Sequence, residues 1–194
     1  MALHKNFPKD KFAILDPEIR WFPADEALRE QGYEKLLPPF VPELRKRIKE
    51  WRNKKYDGAT STSKALLNWW FKKEHLAYGA DGNPFLFQYY FAQREAVETI
   101  VWLYEVAGIR NKYDLLPFDS LGRVSPNMFD EDWLRLVIKM ATGSGKTKVM
   151  SLLLAWSYFH KLYESESELS RNFLLITPNI IVLERIKTDF DGLK

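Results

Sequence analysis

The sequence contains no cysteine, and this absence excludes a disulfide framework and any metal site built on thiolates. Its three histidines, His4, His75 and His160, lack the ligand spacing of a zinc site. No apolar run approaches the roughly 20 residues that cross a bilayer, and the amino-terminal residues lack the apolar core of a signal peptide. A cytoplasmic location without membrane contact is therefore expected.

The chain also lacks a strong excess of charge of either sign. Its 29 basic and 26 acidic residues leave a formal net charge of +3, which neither requires nor excludes a nucleic-acid partner. Hydrophobic residues make up 46% of the 194 residues, enough to bury a sizeable core. The chain is therefore expected to fold, and one or two domains fit its length.

Helical spacing of apolar residues predicts three helices in the first half of the chain. They are expected over Pro42 to Tyr56, Lys64 to about Leu76 and about Phe87 to Ala107. Gly108 is placed to end the third helix, and Gly79 to Pro84 is expected to be a turn or linker. Prolines punctuate the residues before Pro42, so extended arms and short helical turns are expected there.

The second half alternates runs of predicted strand and helix character. A long connection runs from Arg110 to Asp132. A strand over Leu134 to Lys139 and a buried helix over Val149 to Phe159 are expected after it. They are followed by a second strand over Phe173 to Ile176 and a helix over Ile180 to about Phe190. This order predicts a right-handed parallel βαβ unit. Two strands are too few for a complete nucleotide-binding α/β domain, so the chain is expected to be the amino-terminal part of a longer protein.

A glycine-rich run, Ala141-Thr142-Gly143-Ser144-Gly145-Lys146-Thr147, lies between the first predicted strand and the buried helix. Gly143 and Gly145 let backbone N–H groups approach the phosphates of a nucleotide closely, because no side chain intervenes. Lys146 would reach the outer phosphates, and Thr147 would offer its hydroxyl to Mg²⁺. Thr142 to Thr147 are therefore candidate cofactor-binding residues, Lys146 and Thr147 are the candidate catalytic residues, and Thr147 is the candidate metal ligand. The alternative is an ordinary glycine-rich turn.

Gln93 lies on the predicted helix that precedes this loop. Its amide is able to pair with both the N6 donor and the N7 acceptor of adenine, while a neighbouring aromatic ring stacks on the base. Such a contact would select ATP over GTP. The alternative interpretation is a surface glutamine without a function.

Three further features leave functional and structural interpretations open. Thr177-Pro178-Asn179 fits either a plain helix cap or a contact with a nucleic-acid phosphate. Trp69, Trp70 and Phe71 fit base stacking or, as their helical spacing favours, a place in the core. A row of basic residues fits either a phosphate backbone or a solvated face of the first helix: Arg45, Lys46, Arg47, Lys49, Arg52, Lys54 and Lys55.

The acidic residues do not complete a hydrolytic site. Hydrolysis of ATP on such a scaffold needs a carboxylate at the end of an apolar strand, which holds Mg²⁺ and orients water. Asp130-Glu131-Asp132 precedes its strand, and Asp189 and Asp191 follow a predicted helix. The chain alone is therefore expected to bind ATP weakly and to hydrolyse it poorly or not at all.

Two segments resemble the motifs of superfamily 2 helicases. Lys139 to Thr147 resembles motif I, in which Met140 replaces the first glycine of the general phosphate-loop pattern, and Leu175 to Ile186 resembles motif Ia. The segment Phe91-Ala92-Gln93-Arg94-Glu95-Ala96-Val97-Glu98-Thr99 resembles the Res subunits of type III restriction enzymes, and the likeness covers about Phe85 to Lys194. It implies that Gln93 recognises adenine, that Gly143 to Thr147 hold the phosphates and Mg²⁺, and that Thr177-Pro178-Asn179 contacts the DNA backbone. Asn179 departs from the threonine that many relatives have.

The resemblance implies a fold and an activity for the whole protein. The fold is α/β, with a mainly helical accessory region over residues 1–84 and an incomplete, RecA-like parallel sheet over residues 85–194. The activity is ATP-dependent translocation on duplex DNA in phage defence, with an endonuclease domain downstream and a DNA methyltransferase (Mod) subunit as partner. Two other classes remain open from the residues alone: a phosphate-loop ATPase or kinase that does not act on DNA, and a non-catalytic DNA-binding or interaction module.

Overall fold

The computed structural model describes residues 38–125, 127, 133–176, 180, 183–184 and 186–187. This part of the chain is mainly helical and contains one small antiparallel sheet. Its elements in chain order are α1 (Val41–Asn53), α2 (Ser61–Lys72), β1 (His75–Tyr78), β2 (Pro84–Phe87), α3 (Phe91–Glu105), a 3₁₀ helix (Lys112–Phe118) and α4 (Lys146–Tyr163). The three helices predicted for the first half of the chain are thus confirmed, with shifted ends.

The ends of α1 and α2 follow from local backbone chemistry. Helix α1 ends at Asn53 because Lys55 and Tyr56 adopt left-handed backbone angles, with φ of 55° and 61°. Helix α2 begins at Ser61, three residues before its predicted start, because the Thr60 side chain accepts a hydrogen bond from the Ser63 backbone N–H at 3.2 Å.

Helix α3 ends as the sequence predicts, at a left-handed glycine. Gly108 has a φ of 64°, and the N–H of Ile109 donates to the carbonyl of Leu103 at 2.9 Å. This bond spans six residues and satisfies a carbonyl at the end of the helix. The start of α3 lies at Phe91, later than predicted, because Phe87 belongs to a strand.

The turn predicted at Gly79 to Pro84 is confirmed, but the two strands that it joins, β1 and β2, were not predicted. Leu76 pairs with Leu86, and Tyr78 pairs with Pro84, across a turn in which Gly82 has a φ of 76°. Helical spacing predicts Leu76 at the end of α2, because a short apolar run fits a strand and a helix equally well. One face of the hairpin, with Leu76, Tyr78 and Leu86, is exposed.

The predicted parallel pair of strands is not seen among the described residues. Leu134 to Lys139 and Phe173 to Ile176 form no β-ladder there, and the hairpin is the only sheet in this part of the chain. Val137 and Ile176 are 80% and 85% exposed. A parallel strand is stabilised by neighbouring strands and by cover on both faces, and neither surrounds these two segments here.

The long connection before the glycine loop has a short element of its own. The 3₁₀ helix follows Asn111, whose side-chain oxygen accepts from the N–H of Tyr113 at 2.9 Å. Leu115 is buried in this helix, and Phe118 packs against the core. At the other end of the chain, Ile180, Leu183, Glu184, Ile186 and Lys187 are helical, as predicted, and the rest of that helix lies outside the described residues.

Helices α3 and α4 lie side by side and run in the same direction. Gln93, near the start of α3, contacts Ser144 just before α4, and the ring of Tyr104, near the end of α3, meets Trp156 at 5.6 Å. Helices α1 and α2 cover this pair, through Ile48 and Leu67 among others, and all four helices share one hydrophobic core. Trp70 and Phe71 pack against it as expected, whereas Trp69 is exposed.

No described helix is long and apolar enough to cross a bilayer. The described residues also contain no cluster of three or more acidic or histidine side chains that would hold a metal ion by itself.

Candidate nucleotide-binding site

The glycine loop leads directly into α4, as the sequence predicts. Gly143 and Gly145 both have left-handed backbones, with φ of 78° and 81°, which a glycine adopts without strain. Gly145 is the residue before the helix, and Lys146 and Thr147 are its first two residues. Backbone N–H groups at the start of a helix have no earlier carbonyl to bond, so they are available to an anion at this point.

The loop is closed by hydrogen bonds to its own carbonyl groups. Ser144 Oγ donates to the carbonyl of Ala141 at 2.6 Å, and Lys146 Nζ lies 3.1 Å from the same oxygen and 3.3 Å from that of Met140. The Lys146 ammonium group is exposed and already bonded to oxygen atoms. These two carbonyls thus hold the ammonium group beside the loop.

Gln93 is buried against this loop, with 5% of its surface exposed. Its Nε2 donates to the Ser144 carbonyl at 3.0 Å, and its Oε1 accepts from the Tyr90 N–H at 2.9 Å. A Cβ at position 145 would collide with the same Nε2 atom, so this packing needs glycine there. The interpretation of Gln93 as a surface residue is therefore wrong, and its proposed contact with adenine stays a prediction.

An aromatic cleft of about 400 Å³ opens beside the start of α3. Tyr89 lines it, with its ring centroid 4.8 Å from that of Phe87 and 5.5 Å from that of Phe71. Burial raises the pKa of Tyr89 above its ordinary value, so its hydroxyl stays protonated near neutral pH. The charged residues Lys72, Lys73, Glu74 and Arg94 also line the cleft, which therefore combines aromatic rings with mainly basic side chains.

The basic row on α1 is only partly available to a nucleic acid. Arg45 pairs with Glu95 of α3 at 3.3 Å, and Arg52 pairs with Glu98 of the same helix. Arg47 pairs with Glu43 on its own helix at 2.6 Å. The remaining basic residues of the row are exposed: Lys46, Lys49, Lys54 and Lys55.

Glu98 is a buried carboxylate that the sequence reasoning did not single out. Its oxygens accept from Arg94 Nε at 2.8 Å, from Arg52 Nε at 2.9 Å and from the Tyr56 hydroxyl at 2.6 Å. The available signal was an acidic residue next to Val97, on the apolar side of α3, with an arginine four residues before it.

Other predicted site residues lie outside the described residues. One of them is the predicted DNA contact, Thr177-Pro178-Asn179. The others are the acidic residues that do not fit a hydrolytic role by sequence: Asp130-Glu131-Asp132, Asp189 and Asp191.

A glycine loop that ends at the first turn of a buried helix, with a polar side chain packed on it, is typical of phosphate-loop nucleotide-binding proteins. Residues 87–194 match the model of the family described as "Type III restriction enzyme, res subunit", which is more than half of the chain. The chain belongs to this family of helicase-like ATPases, as the resemblance of its motifs predicts. No curated protein and no solved structure matches the chain.

Proposed function

We propose that this chain is the ATP-binding amino-terminal portion of an ATP-dependent DNA helicase or translocase. In the proposed role, it belongs to the restriction subunit of a type III-like system that cleaves foreign DNA. One observation carries the ATP-binding role: the Gln93 amide packs on the glycine loop at Ser144, although the two residues lie 51 positions apart in sequence. The family match supplies the role in restriction.

In the proposed site, Thr142 to Thr147 surround the phosphates of ATP. Space above the loop supports this role, because a Cβ on Gly143 would meet no atom within 4 Å. Lys146 would exchange the Ala141 carbonyl for a phosphate oxygen, and Thr147 would hold Mg²⁺ through its hydroxyl. The bound Mg²⁺ neutralises phosphate charge and orients the nucleotide.

The adenine base would lie between Gln93 and the aromatic cleft. A primary amide has two N–H donors and two acceptor positions, and Gln93 uses one of each for Ser144 and Tyr90. One donor and one acceptor position are left for N7 and N6 of adenine. Phe87 and Tyr89 would supply a flat apolar surface for the ring.

We further propose a domain organisation, a parallel sheet, a DNA contact and a partner subunit. We place a mainly helical accessory region in residues 1–84 and the first part of a RecA-like domain in residues 85–194. Leu134 to Lys139 and Phe173 to Ile176 would be parallel strands of a wider sheet, which would cover their exposed side chains. Thr177-Pro178-Asn179 would contact the backbone of duplex DNA, and a DNA methyltransferase subunit would select the sequence.

Substitution of Lys146 tests the nucleotide site. In this 194-residue chain, Lys146→Ala is expected to weaken binding of Mg·ATP at least about ten-fold, because it removes a charge-assisted bond to phosphate. Calorimetric titration measures the affinity. Lys148→Ala is the matched control, since Lys148 is exposed on the same helix two residues later. Equal affinities in the wild-type chain and Lys146→Ala would refute the proposed role of the loop.

A further inference from the structure

A cluster of four buried or half-buried side chains ties α1 to α3. We call it the Glu98 cluster: Arg52, Tyr56, Arg94 and Glu98. Glu98 is completely buried and accepts hydrogen bonds from the other three residues, while Arg94 Nη2 also donates to the Tyr56 hydroxyl at 2.9 Å. A buried carboxylate of this kind requires its partners, because an unpaired charge is strongly disfavoured in the interior.

Tyr56 enters the cluster from a strained backbone. Its φ of 61° lies in the left-handed region, which bulky residues rarely adopt, and the residue before it is left-handed as well. Tyr56 is nevertheless fully buried, and its ring packs edge-on against Trp51 at 4.9 Å. Such a conformation persists only where the surroundings enforce it, and it is found more often at functional sites than elsewhere.

The Tyr56 hydroxyl adds no charge to the cluster. Burial, followed by the negative charge of Glu98, raises the pKa of Tyr56 well above its ordinary value, so the hydroxyl remains a neutral donor. One carboxylate thus faces two guanidinium groups in the buried cluster. Removal of either arginine would leave fewer donors for Glu98, and removal of Glu98 would leave two cations facing each other.

The cluster lies next to the residue that contacts the glycine loop. Arg94 directly follows Gln93, and its Nε bonds Glu98 one helical turn later. Arg52 and Tyr56 belong to the segment before the family match, which begins at residue 87. Side chains from outside the matched segment therefore hold the first turns of α3, where the 3.0 Å bond from Gln93 to Ser144 depends on the placement of that helix.

The geometry points to a positioning role for this cluster. Arg52 and Tyr56 bind Glu98 and thereby fix the position of Gln93 against the glycine loop. This position in turn determines the preference for adenine nucleotides. This inference rests on the proposed function, because Gln93 must read the base. It assigns part of the nucleotide specificity to residues that precede the matched domain. Arg52 and Tyr56 act through α3 and touch no nucleotide themselves.

The test compares base preference, which a loss of stability alone would not change. Mg·ATP, Mg·GTP and inorganic tripolyphosphate are titrated into the 194-residue chain and into Arg52→Gln, Arg52→Lys, Tyr56→Phe and Gln93→Ala. Gln93→Ala is expected to reduce the preference for ATP over GTP about ten-fold, as for the loss of paired hydrogen bonds. Arg52→Gln is expected to reduce it several-fold, Tyr56→Phe less, and Arg52→Lys is expected to restore part of it. Tripolyphosphate affinity should change little.

Arg47→Gln is the matched control, because Arg47 lies on the same helix and, among the residues that the structure describes, pairs only with Glu43 of that helix. In a Gln93→Ala background, Arg52→Gln should have no further effect on base preference. If Arg52→Gln and Arg47→Gln prefer ATP over GTP to the same extent, the inference is wrong, although the proposed ATP site is unaffected. ATP binding that is absent, or unaffected by Lys146→Ala, would overturn the proposed function itself.

Discussion

The Gln93 amide packs against Gly145 so closely that a Cβ at position 145 would collide with its Nε2 atom. The same nitrogen donates to the carbonyl of Ser144, the residue before that glycine. Two features therefore favour glycine at position 145: a left-handed backbone, with a φ of 81°, and the close approach of an amide from another helix. A side chain at position 145 would therefore force the Gln93 amide to move away from Ser144.

Gly145→Ala is accordingly expected to disturb nucleotide binding as well as stability. The left-handed backbone alone costs about 1–2 kcal/mol for alanine, and the collision moves Gln93 away from the loop. We expect an ATP affinity at least about ten-fold lower, measured by titration.

Gly82→Ala separates these two effects. Gly82 has a similar φ of 76°, but a Cβ there would meet no atom within 4 Å. This variant should lose about 1 kcal/mol of unfolding free energy and keep its ATP affinity. If both variants bind ATP like the wild-type chain, the contact between Gln93 and the loop has no part in binding.

Ser63→Ala is expected to destabilise the helical core. The buried Ser63 hydroxyl accepts from Trp156 Nε1 at 2.7 Å and donates to Glu105. Its removal leaves the buried indole N–H without an acceptor, which costs about 1–3 kcal/mol. Denaturant unfolding measures this loss.

Ser61→Ala provides the comparison for that measurement. Ser61 is exposed on the same turn of α2, and its hydroxyl lies 3.3 Å from Glu164. A change within about 0.5 kcal/mol is expected. A loss as large as that of Ser63→Ala would show that the buried hydrogen bonds are not the cause.

Glu164 is expected to make stability depend on acid. Hydrogen bonds from the side chain and backbone N–H of Thr62 lower its pKa below the ordinary value. Because the folded-state pKa is the lower one, the stabilisation is complete above the ordinary glutamate pKa, about 4.3, and is lost as the pH falls through the folded-state value. Glu164→Gln should therefore be less stable than wild type at pH 7, by at most about 1 kcal/mol because solvent screens this carboxylate.

The difference between Glu164→Gln and wild type should shrink as the pH falls through the folded-state pKa of Glu164, because the carboxylate is then protonated. Unfolding at a series of pH values measures it. Glu166→Gln is the control, since Glu166 is an exposed glutamate two residues away. A difference of the same size at pH 7 and pH 3 would contradict the role of the carboxylate charge.

Features that depend on neighbouring residues could be predicted from the sequence. The stop of α3 at Gly108 follows from local backbone chemistry, and the structure confirms it. The helix after the glycine loop is also confirmed, although it begins at Lys146, before the predicted Val149. The secondary structure of short apolar runs is harder to predict, because Leu76 fits a helix and a strand equally well until its partner Leu86 is known.

Features that depend on distant residues could not be predicted in the same way. Leu134 to Lys139 has the composition of a strand, yet a strand forms only beside another strand, and none lies next to it in the described part of the chain. The burial of Glu98 depends on Arg52, which is 46 positions away. Helical spacing places Arg52 beside the buried face of α1, four residues after Ile48, but the local sequence does not identify its partner.

The shared direction of α3 and α4 has an electrostatic consequence. Each helix carries the equivalent of about half a positive elementary charge at its amino-terminal end. Both ends lie at the glycine loop, since Gln93 belongs to the first turn of one helix and Lys146 begins the other. A polyphosphate at the loop therefore meets two helix dipoles whose attraction adds to that of the lysine. Part of its binding energy would survive the loss of the Lys146 ammonium group and would decline as ionic strength rises.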